Sequence, residues 1–524
     1  MGGAWGVNEP WGMTSYRGLR ARRAVLLGLS GMLAAATVST AAAGARAADG
    51  GRDGRAGRVA GLSWRACERT GGPAGQECAD LAVPLDYRDP DGPTVSLAVS
   101  RVRSDRPAER RGTLMVIPGG PGGSGVARLT QRAGALRAQL GGAYDLVGFD
   151  PRGVGGSAKA GCGLDPADRH LVTLRAWPAA DGSIDENVTR ARRTAEACAR
   201  NGGPLVRSMS TANEVRDMER LRQALGERKL SAWGQSYGTY VAAVYAQTYP
   251  ERTDRWVLDS VDDPDPARLE RGWLANMAQG ADDRFPDFAA WAADPARERD
   301  GLRLADRADG VRPLVLRVAA ELDRAPRESD VAGTPLTGNR LRQALQNALM
   351  GGPDGFAPVA ALVKAAQDPA ATPRLPGDVA GPLPDTDAAV AIATICNDIG
   401  WPREVDSYRR AVAADRAAHP LTAGMPANIP PCAFWPDRPA DAPVRITDRG
   451  PSNVLMIQNL RDPATPYSGA LKMRTALGGR ARMVTVDSGG HGSYLAHGNA
   501  CGDRAVTGYL KDGHWPDKDV YCAA

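Results

Sequence analysis

GQSYG, at residues 234–238, lies between a short apolar run at 230–233 and a helical pattern at 240–249 that Pro250 stops. A serine between two glycines at a strand-to-helix turn is typical of a nucleophile elbow, because small residues permit a sharp turn that lifts the hydroxyl clear of the backbone. The same letters also occur in ordinary strand–turn–helix units, so the motif alone does not decide between the two. Its flanks favour the elbow and predict Ser236 as a nucleophile.

Apolar runs that indicate buried strands alternate with helical patterns on both sides of this motif. Several are almost wholly apolar, as expected for a parallel sheet that helices cover on both faces. They lie at residues 94–102, 113–117, 144–150, 230–233, 255–259, 453–457 and 482–486. The sequence therefore predicts an α/β fold built on a mostly parallel central sheet.

The pattern changes between 263 and 445. Helical stretches such as 311–324 and 340–349 are separated there by loops rich in proline, glycine and aspartate, with no clear strand. A separate downstream domain is the alternative, but the last two strands would then have no sheet to join. At 524 residues the chain is too long for one compact core. We therefore predict a mainly helical cap, residues 263–445, inserted into a core formed by residues 48–262 and 446–524.

A serine nucleophile needs a base, and in an elbow of this kind the acid and then the base follow the serine along the chain. Only five histidines are present. His170 precedes the serine, His419 lies in the predicted cap, and His497 and His514 are expected at the surface. His491 follows the last apolar run and is bracketed by glycines, which would let a loop carry the imidazole over the sheet edge. His491 is the predicted base.

The acid has more competitors than the base. Asp462 comes just after the run at 453–457 and 29 residues before His491. Asp259 also ends a strand, and some related folds use that earlier position. Asp487 belongs to the strand that leads to His491 and is expected to face elsewhere. We predict Asp462 as the acid, which would fix the imidazole tautomer and stabilise the imidazolium.

Two glycine-rich loops follow predicted strands near the serine. GGPGGSG at 119–125 is suited to present backbone N–H groups to an oxyanion, because glycines allow close approach to a ligand. The expected donors are the N–H groups of Gly120 and Tyr237. A phosphate-binding loop is the rival interpretation, but the GK[ST] ending of a P-loop is missing. DPRGVGGS at 150–157 is predicted to brace the neighbouring loops.

The first 47 residues have the pattern of a signal peptide. A basic segment at 17–23 precedes an apolar segment at 24–38 and a small-residue cleavage site, Ala-Arg-Ala, at 45–47. A membrane anchor is the alternative, but the apolar segment is short and rich in alanine. The sequence predicts a secreted protein, extracellular or in the cell envelope.

The remaining chain is almost neutral. The formal charge of +5 falls to +1 when the five arginines and one glutamate of the leader are removed. This gives no support for a nucleic-acid or anionic-membrane partner. No other apolar run approaches the roughly 20 residues that span a bilayer.

The eight cysteines agree with export, because disulfides persist in oxidising compartments. Eight cysteines allow 105 complete pairings, and proximity along the chain suggests four local ones. These are Cys67 with Cys78, Cys162 with Cys198, Cys396 with Cys432, and Cys501 with Cys522. A metal site is disfavoured because no CxxC or CxxH spacing occurs, and we expect no cofactor.

Five ordered motifs together resemble the secreted tripeptidyl aminopeptidases of the α/β-hydrolase superfamily, relatives of the proline iminopeptidases. The motifs are GGPGGSG at 119–125, DPRGVGGS at 150–157, GQSYGTY at 234–240, RDPATP at 461–466 and GGHG at 489–492. The similarity extends to a C-terminal module within 446–524 that resembles the one in tripeptidyl aminopeptidases (a TAP-like module). It implies an α/β-hydrolase fold with Ser236, Asp462 and His491 as the triad.

The resemblance also implies an exopeptidase that releases short peptides, tripeptides in particular, from free N-termini. Such an enzyme must bind an ammonium group, for which the carboxylates of Glu214, Asp262, Asp263 and Asp265 are candidates. Proline iminopeptidases have histidine where this chain has Pro118, which disfavours a strict prolyl enzyme. An esterase or amidase with the same triad is the alternative. A non-catalytic binding protein is disfavoured because every triad candidate is present.

Overall fold

The structure is a computed structural model that describes residues 61–68, 72–265 and 269–524. The predicted signal peptide, residues 1–47, lies outside the described residues. Within them, no helix is both long and apolar enough to cross a membrane.

The strands form one sheet in the order β1-β2-β3-β5-β4-β6-β7-β8-β9-β10. Their bounds are β1 Arg65–Ala66, β2 Gln76–Pro84, β3 Thr94–Val102, β4 Gly112–Ile117, β5 Tyr144–Phe149, β6 Leu230–Ser236, β7 Thr253–Val261, β8 Val454–Arg461, β9 Ala481–Gly489 and β10 Val520–Cys522. The pairings β1–β2, β2–β3 and β3–β5 are antiparallel. From β5 to β10 every neighbouring pair is parallel. The prediction of a mostly parallel sheet is confirmed.

The central strands are buried on both faces because successive side chains point to opposite sides of a strand. In β4, Met115 and Ile117 join one buried apolar cluster while Leu114 and Val116 join another on the opposite face. This explains why these strands are almost wholly apolar in sequence and lack the alternation of a half-exposed sheet.

The helices surround the sheet and fill the interval between β7 and β8. Their bounds are α1 Gly125–Leu140, α2 Leu171–Leu174, α3 Asp185–Asn201, α4 Gly203–Arg207, α5 Thr211–Ala224, α6 Tyr237–Thr248, α7 Leu269–Ala293, α8 Ala308–Arg324, α9 Gly338–Met350, α10 Phe356–Gln367, α11 Gly377–Ala380, α12 Asp385–Asp398, α13 Val405–Ala418, α14 Tyr467–Leu477 and α15 Ala500–Asp512. Helices α1 and α15 pack on one face of the sheet, and α5, α6 and α14 pack on the other. The sheet is therefore covered on both sides.

The segment between β7 and β8, here called the helical region, has an apolar core of its own. Side chains of α7, α8, α9 and α10 form this cluster, in which Phe288 and Phe356 meet edge to face. Among its described residues the only strand-like pairing is an isolated bridge between Arg327 and Leu336. These helices therefore pack mainly on one another, away from the sheet.

A second contact of the helical region was not foreseen from the sequence. Helix α12 packs against apolar side chains of α3 and α4, which precede β6 in the chain and belong to the predicted core. The disulfides Cys162–Cys198 and Cys396–Cys432 lie in the same cluster. Residues far apart in sequence thus form one layer beside the glycine-rich loops.

The disulfides of the described residues join the same pairs that sequence proximity suggests. They are Cys67–Cys78, Cys162–Cys198, Cys396–Cys432 and Cys501–Cys522. The first ties the short strand β1 to β2, and the last ties α15 to the edge strand β10. Each closes a short loop, so the cross-links stabilise local geometry at the edges and in the α3–α12 layer.

Candidate active site

Ser236 is the last residue of β6 and lies immediately before α6. Its backbone has φ of 60° and ψ of −133°, a conformation that side-chain-bearing residues rarely adopt and that commonly occurs at functional sites. A Cβ on Gly234 would lie 2.4 Å from the carbonyl oxygen of Gly238, and one on Gly238 would lie 2.5 Å from that of Pro118. Neither position has room for a side chain, so both glycines are required by the sharp turn.

The loop after β4 runs along the serine. A Cβ on Gly119 would lie 2.7 Å from Cβ of Ser236, so the loop backbone passes directly over this residue. Gly120 follows with φ of 131°, a region that favours glycine. Tyr237 is the first residue of α6, and a helix leaves its first four N–H groups without intrahelical partners. Both predicted oxyanion donors thus lie in the backbone next to Ser236.

Asp150 braces this loop from the end of β5. Its carboxylate accepts hydrogen bonds from the Ser124 hydroxyl at 2.5 Å, the Val126 N–H at 3.1 Å and the Gly156 N–H at 2.8 Å. It therefore links the glycine-rich loop, the start of α1 and the loop after β5.

Arg152 forms a buried two-pronged ion pair with Asp217 of α5, with both N–O distances 2.8 Å. It also donates to the carbonyl oxygens of Pro84 and Leu85. Arg152 thereby joins the loop after β5 to α5 and to the end of β2, in agreement with the bracing role predicted for the 150–157 motif.

Asp462 and His491 form a close pair on the loops after β8 and β9. Nδ1 of His491 lies 3.0 Å from each carboxylate oxygen of Asp462. The side chain of Asp462 is fully buried, whereas that of His491 is 17% exposed. Asp462 also accepts the N–H groups of Ala464 and Thr465 and the Thr465 hydroxyl. The carboxylate is therefore fixed in one orientation toward the imidazole.

Asp462 and His491 each shift the pKa of the other. Burial alone would raise the pKa of Asp462, but the His491 imidazole, the Thr465 N–H and the Ser260 hydroxyl together hold it below its usual range. Burial lowers the pKa of His491, but the charge and hydrogen bond of Asp462, with smaller contributions from Asp259 and Asp262, raise it above its usual value. This arrangement keeps the acid ionised and favours an imidazole that accepts a proton.

The loop that carries His491 is held against the elbow. Gly490 and Gly492 have φ of 101° and 90°, and a Cβ on Gly492 would lie 2.2 Å from Nε2 of Gln235, the residue before Ser236. The His491 N–H donates to the carbonyl oxygen of Met350, at the end of α9, at 2.8 Å. The elbow on one side and the helical region on the other thus fix the loop.

The two competing carboxylates have other partners. Asp259, at the end of β7, accepts hydrogen bonds from Trp233 Nε1 at 3.0 Å and from the N–H groups of Ser493 at 2.7 Å and Tyr494 at 3.2 Å. Burial raises the pKa of Asp259 to about 6. Asp487 pairs with Arg461 at 2.7 Å, away from the imidazole, as predicted. Neither forms a hydrogen bond with His491 among the described contacts.

The other histidines do not compete for the role of base, although one lies differently than expected. His497 is half-buried, with Nε2 3.4 Å from the carbonyl oxygen of His491, so the expectation that it is a surface residue is wrong. It folds back because the loop turns sharply through its glycines. His419 pairs with Asp282 of α7 at 2.6 Å, and His514 is exposed.

Ser260 is a residue of the site that the sequence analysis missed. Its hydroxyl accepts the Gly492 N–H at 2.7 Å, and it also supports the charge of Asp462. Its φ is 58°, a second strained backbone conformation at this edge. No sequence motif signals it, because its partners lie on the loops after two other strands, β8 and β9. Only its position after Asp259, at a strand end, could have drawn attention to it.

The carboxylates proposed for ammonium binding differ in availability. Asp263 is paired with Lys472 and with Asn276. Asp262, beside it, is 3% exposed, and its Oδ1 has no hydrogen-bond partner among the described residues. Burial raises the pKa of Asp262 to about 7, opposed by the nearby charge of His491. Glu214 is also buried, and its Oε2 lies 3.3 Å from the Tyr237 hydroxyl.

A serine elbow at the end of β6, with an Asp–His pair on the loops after β8 and β9 of the same parallel sheet, identifies an α/β-hydrolase fold. Within that superfamily the chain belongs to the tripeptidyl aminopeptidase family, and it is a serine hydrolase of the aminopeptidase type. The resemblance stated from the motifs is thereby confirmed.

The comparisons that establish the family cover most of the chain. It is 34% identical over 488 residues to the tripeptidyl aminopeptidase of Streptomyces lividans, covering 88% of this chain and 87% of that protein. It is 30% identical over 491 residues to serine protease Hip1 of Mycobacterium tuberculosis (strain ATCC 25618 / H37Rv), covering 88% and 91%. It is 31% identical over 488 residues to carboxylesterase B of Mycobacterium tuberculosis (strain CDC 1551 / Oshkosh), covering 88% and 90%. Residues 420–522 match the family model described as TAP-like protein, which begins before the predicted boundary at 446.

Proposed function

We propose that the protein is an exported serine exopeptidase that releases short peptides, tripeptides in particular, from free N-termini, with Ser236, Asp462 and His491 as its triad. The observation that carries this proposal is the Asp462–His491 pair, held in a loop that packs against the strained Ser236 elbow. Family membership supplies the substrate class, since the relatives include tripeptidyl aminopeptidases and a serine protease.

In the proposed reaction, the Ser236 hydroxyl attacks the scissile carbonyl carbon while His491 takes its proton. Nδ1 of His491 is engaged by Asp462, which leaves Nε2 as the atom that accepts the proton. The tetrahedral oxyanion is bound by the backbone N–H groups of Gly120 and Tyr237. His491 then protonates the leaving amine, and a water molecule activated by the same imidazole hydrolyses the acyl-enzyme.

Asp262 is proposed to bind the ammonium group of the substrate. An aminopeptidase needs an anionic group near the nucleophile, and Asp262 follows β7 beside His491, which contributes to its electrostatic environment. Its buried oxygen without a hydrogen-bond partner among the described residues is costly unless a ligand satisfies it. Asp263 is already neutralised by Lys472.

The nucleophile is tested with a fluorophosphonate probe. We expect Ser236→Ala to abolish covalent labelling while the thermal unfolding temperature stays near that of the parent protein. Ser493→Ala is a matched control, because the Ser493 hydroxyl is also buried nearby but has no hydrogen-bond partner among the described residues. Labelling that persists in Ser236→Ala would refute the assignment.

The substrate class is tested with di-, tri- and tetrapeptide amides that carry free or acetylated N-termini, and with a simple ester. Preference for the free tripeptide amide supports the proposal. An enzyme that hydrolyses the ester and ignores the free amine would be an esterase with the same triad.

For Asp262→Asn we expect KM to rise at least tenfold for free amines, with the acetylated ester unaffected.

Export is tested by sequencing the N-terminus of protein from the culture medium, which should begin after Ala47.

A further inference from the structure

A buried chain of polar side chains connects the elbow to α5 and α12. The Tyr237 hydroxyl lies 2.7 Å from the Thr211 hydroxyl and 3.3 Å from Oε2 of Glu214. Thr211 in turn donates its hydroxyl proton to Oδ2 of Asp398 at 2.6 Å and its N–H to Oδ1 at 2.8 Å. All four side chains belong to residues less than a tenth exposed. The chain therefore lies in the interior, directly behind the predicted oxyanion donor.

The hydrogen bonds of this chain of side chains need more protons than its hydroxyl groups supply. It contains three oxygen–oxygen contacts, from Asp398 to Thr211, from Thr211 to Tyr237 and from Tyr237 to Glu214. The two hydroxyl groups supply only two protons, because Ser, Thr and Tyr hydroxyls donate once. If both end groups were ionised, one contact would bring lone pairs together without a hydrogen. A third proton on one of the end carboxyls makes all three contacts hydrogen bonds.

The surroundings indicate that this proton is on Glu214. Asp398 accepts the N–H of Thr211, the first residue of α5, and the positive end of a helix stabilises a carboxylate. Oε1 of Glu214 has no hydrogen-bond partner among the described residues. Burial raises the pKa of Glu214 to about 8, and the charges of Asp217 on its own helix and of Asp398 on α12 act in the same direction.

We propose that Glu214 is a positioning residue, protonated at neutral pH, that holds the first turn of α6 through the Tyr237 hydroxyl. The inference rests on the proposed function, in which the backbone N–H of Tyr237 receives the oxyanion. With the proton in place, Glu214 donates to Tyr237, Tyr237 donates to Thr211 and Thr211 donates to Asp398. The ring of Tyr237, only 4% exposed, is then fixed together with its backbone.

In alkaline solution Glu214 would lose that proton, and the chain of hydrogen bonds from Glu214 to Asp398 would be interrupted. An ionised Glu214 would lie buried near the carboxylates of Asp217 and Asp398, and Arg152, which lines the same small cavity, is already paired with Asp217. Tyr237 would then have one proton for two acceptors and would lose one of its anchors. The expected effect is a lower rate of the chemical step with little change in KM, since Glu214 acts through Tyr237 and does not bind the substrate.

The test is the pH dependence of inactivation by a fluorophosphonate probe in the parent protein and in Glu214→Gln, Glu214→Ala and Tyr237→Phe. The probe has no amino group, so titration of a substrate amine cannot produce the effect. For the parent protein we expect the rate constant to rise as His491 loses its proton and to fall again above about pH 8. Glu214→Gln, whose amide donates but does not titrate, should react within about threefold of the parent at pH 7 and should lack the alkaline fall.

The remaining variants separate this role from a merely structural one. Glu214→Ala and Tyr237→Phe should react about tenfold more slowly at pH 7, equivalent to about 1.4 kcal/mol in the barrier, and should also lack the alkaline fall. Thermal unfolding of each variant shows whether it is folded. An alkaline fall that persists in Glu214→Gln, or parent-like reactivity of Glu214→Ala, would overturn the inference. If Ser236 is not labelled in the parent protein, the proposed function itself fails, which is a different outcome.

Discussion

The carboxyl ends of β7 and β8 lie side by side in the sheet, and each places one buried aspartate near the same histidine loop. Asp462, after β8, faces the imidazole of His491 and keeps a lowered pKa. Asp259, at the end of β7, faces an indole N–H and two backbone N–H groups of the loop, and its pKa is raised to about 6. One aspartate orients the ring, and the other orients the backbone that carries it.

Position at a strand end therefore does not decide which carboxylate is the acid of the proposed triad. Both residues are buried, Asp259 within the last residues of β7 and Asp462 directly after β8, at the same edge of the sheet. The two carboxylates differ in the hydrogen-bond donors that reach them. The N–H groups of Ser493 and Tyr494 point toward Asp259, whereas the ring of His491 points toward Asp462. Exchanging either carboxylate for an amide should therefore affect different properties of the protein.

The largest difference between the amide variants of Asp462 and Asp259 is expected in kcat. Asp462→Asn should lower kcat about 10⁴-fold, because an amide cannot stabilise the imidazolium and favours the wrong tautomer. Asp259→Asn should lower kcat less than about tenfold but reduce thermal stability, because an amide leaves a buried donor without an acceptor, at a cost of about 1–3 kcal/mol. Steady-state kinetics on a tripeptide amide and thermal unfolding of both variants provide the measurement. A larger loss of kcat in Asp259→Asn than in Asp462→Asn would reverse the two roles.

The comparison also shows what the sequence could predict. The elbow, the strand runs and the order of serine, acid and base are local patterns, and from them Ser236, Asp462 and His491 are expected at strand ends, where the structure has them. The predicted runs match the strands to within a few residues, although β6 continues through Ser236 and β8 continues to Arg461. Strand β2 was missed because it lies next to the edge of the sheet and is only partly apolar.

The long-range partners could not be predicted in the same way. Ser260 joins the site through residues of the loops after β8 and β9, and Glu214 reaches Tyr237 across two helices. The packing of α12 on α3 and α4 likewise depends on residues about 200 positions apart. A single sequence contains no periodic or spacing signal for such contacts, because each partner taken alone resembles an ordinary buried or capping residue.

Replacing Ser260 should have an effect of intermediate size on kcat, because Ser260 connects the end of β7 with Asp462 after β8. Its hydroxyl supports Asp462 and accepts the Gly492 N–H. Ser260→Ala should lower kcat about tenfold, in line with the loss of about 1–1.5 kcal/mol for a hydrogen bond that orients the pair. Ser260→Gly also lacks the hydroxyl but suits a φ of 58°, so it separates the loss of the hydrogen bonds from a change in backbone strain. If the alanine variant matches the parent protein in kcat and only loses stability, Ser260 is a structural support of the loop.

The smallest effect concerns the pH at which the histidine becomes active. Both aspartates raise the pKa of His491, with Asp462 contributing more than Asp259. His491 must be neutral to accept the serine proton, so activity should rise as pH increases through that pKa. Removing either negative charge lowers the pKa and should move the acid limb of the rate profile to lower pH, further for Asp462→Asn than for Asp259→Asn.

The profile is best measured between pH 5 and 8 from the rate of fluorophosphonate inactivation, which remains measurable in slow variants and avoids titration of a substrate amine. Asp487→Asn is the matched control, since that carboxylate pairs with Arg461 and Tyr521 and is not among the main groups that shift the pKa of His491. An acid limb that stays in place in Asp462→Asn, or that moves equally in the control, would mean that the imidazole is tuned by its burial and not by the aspartates at the two strand ends.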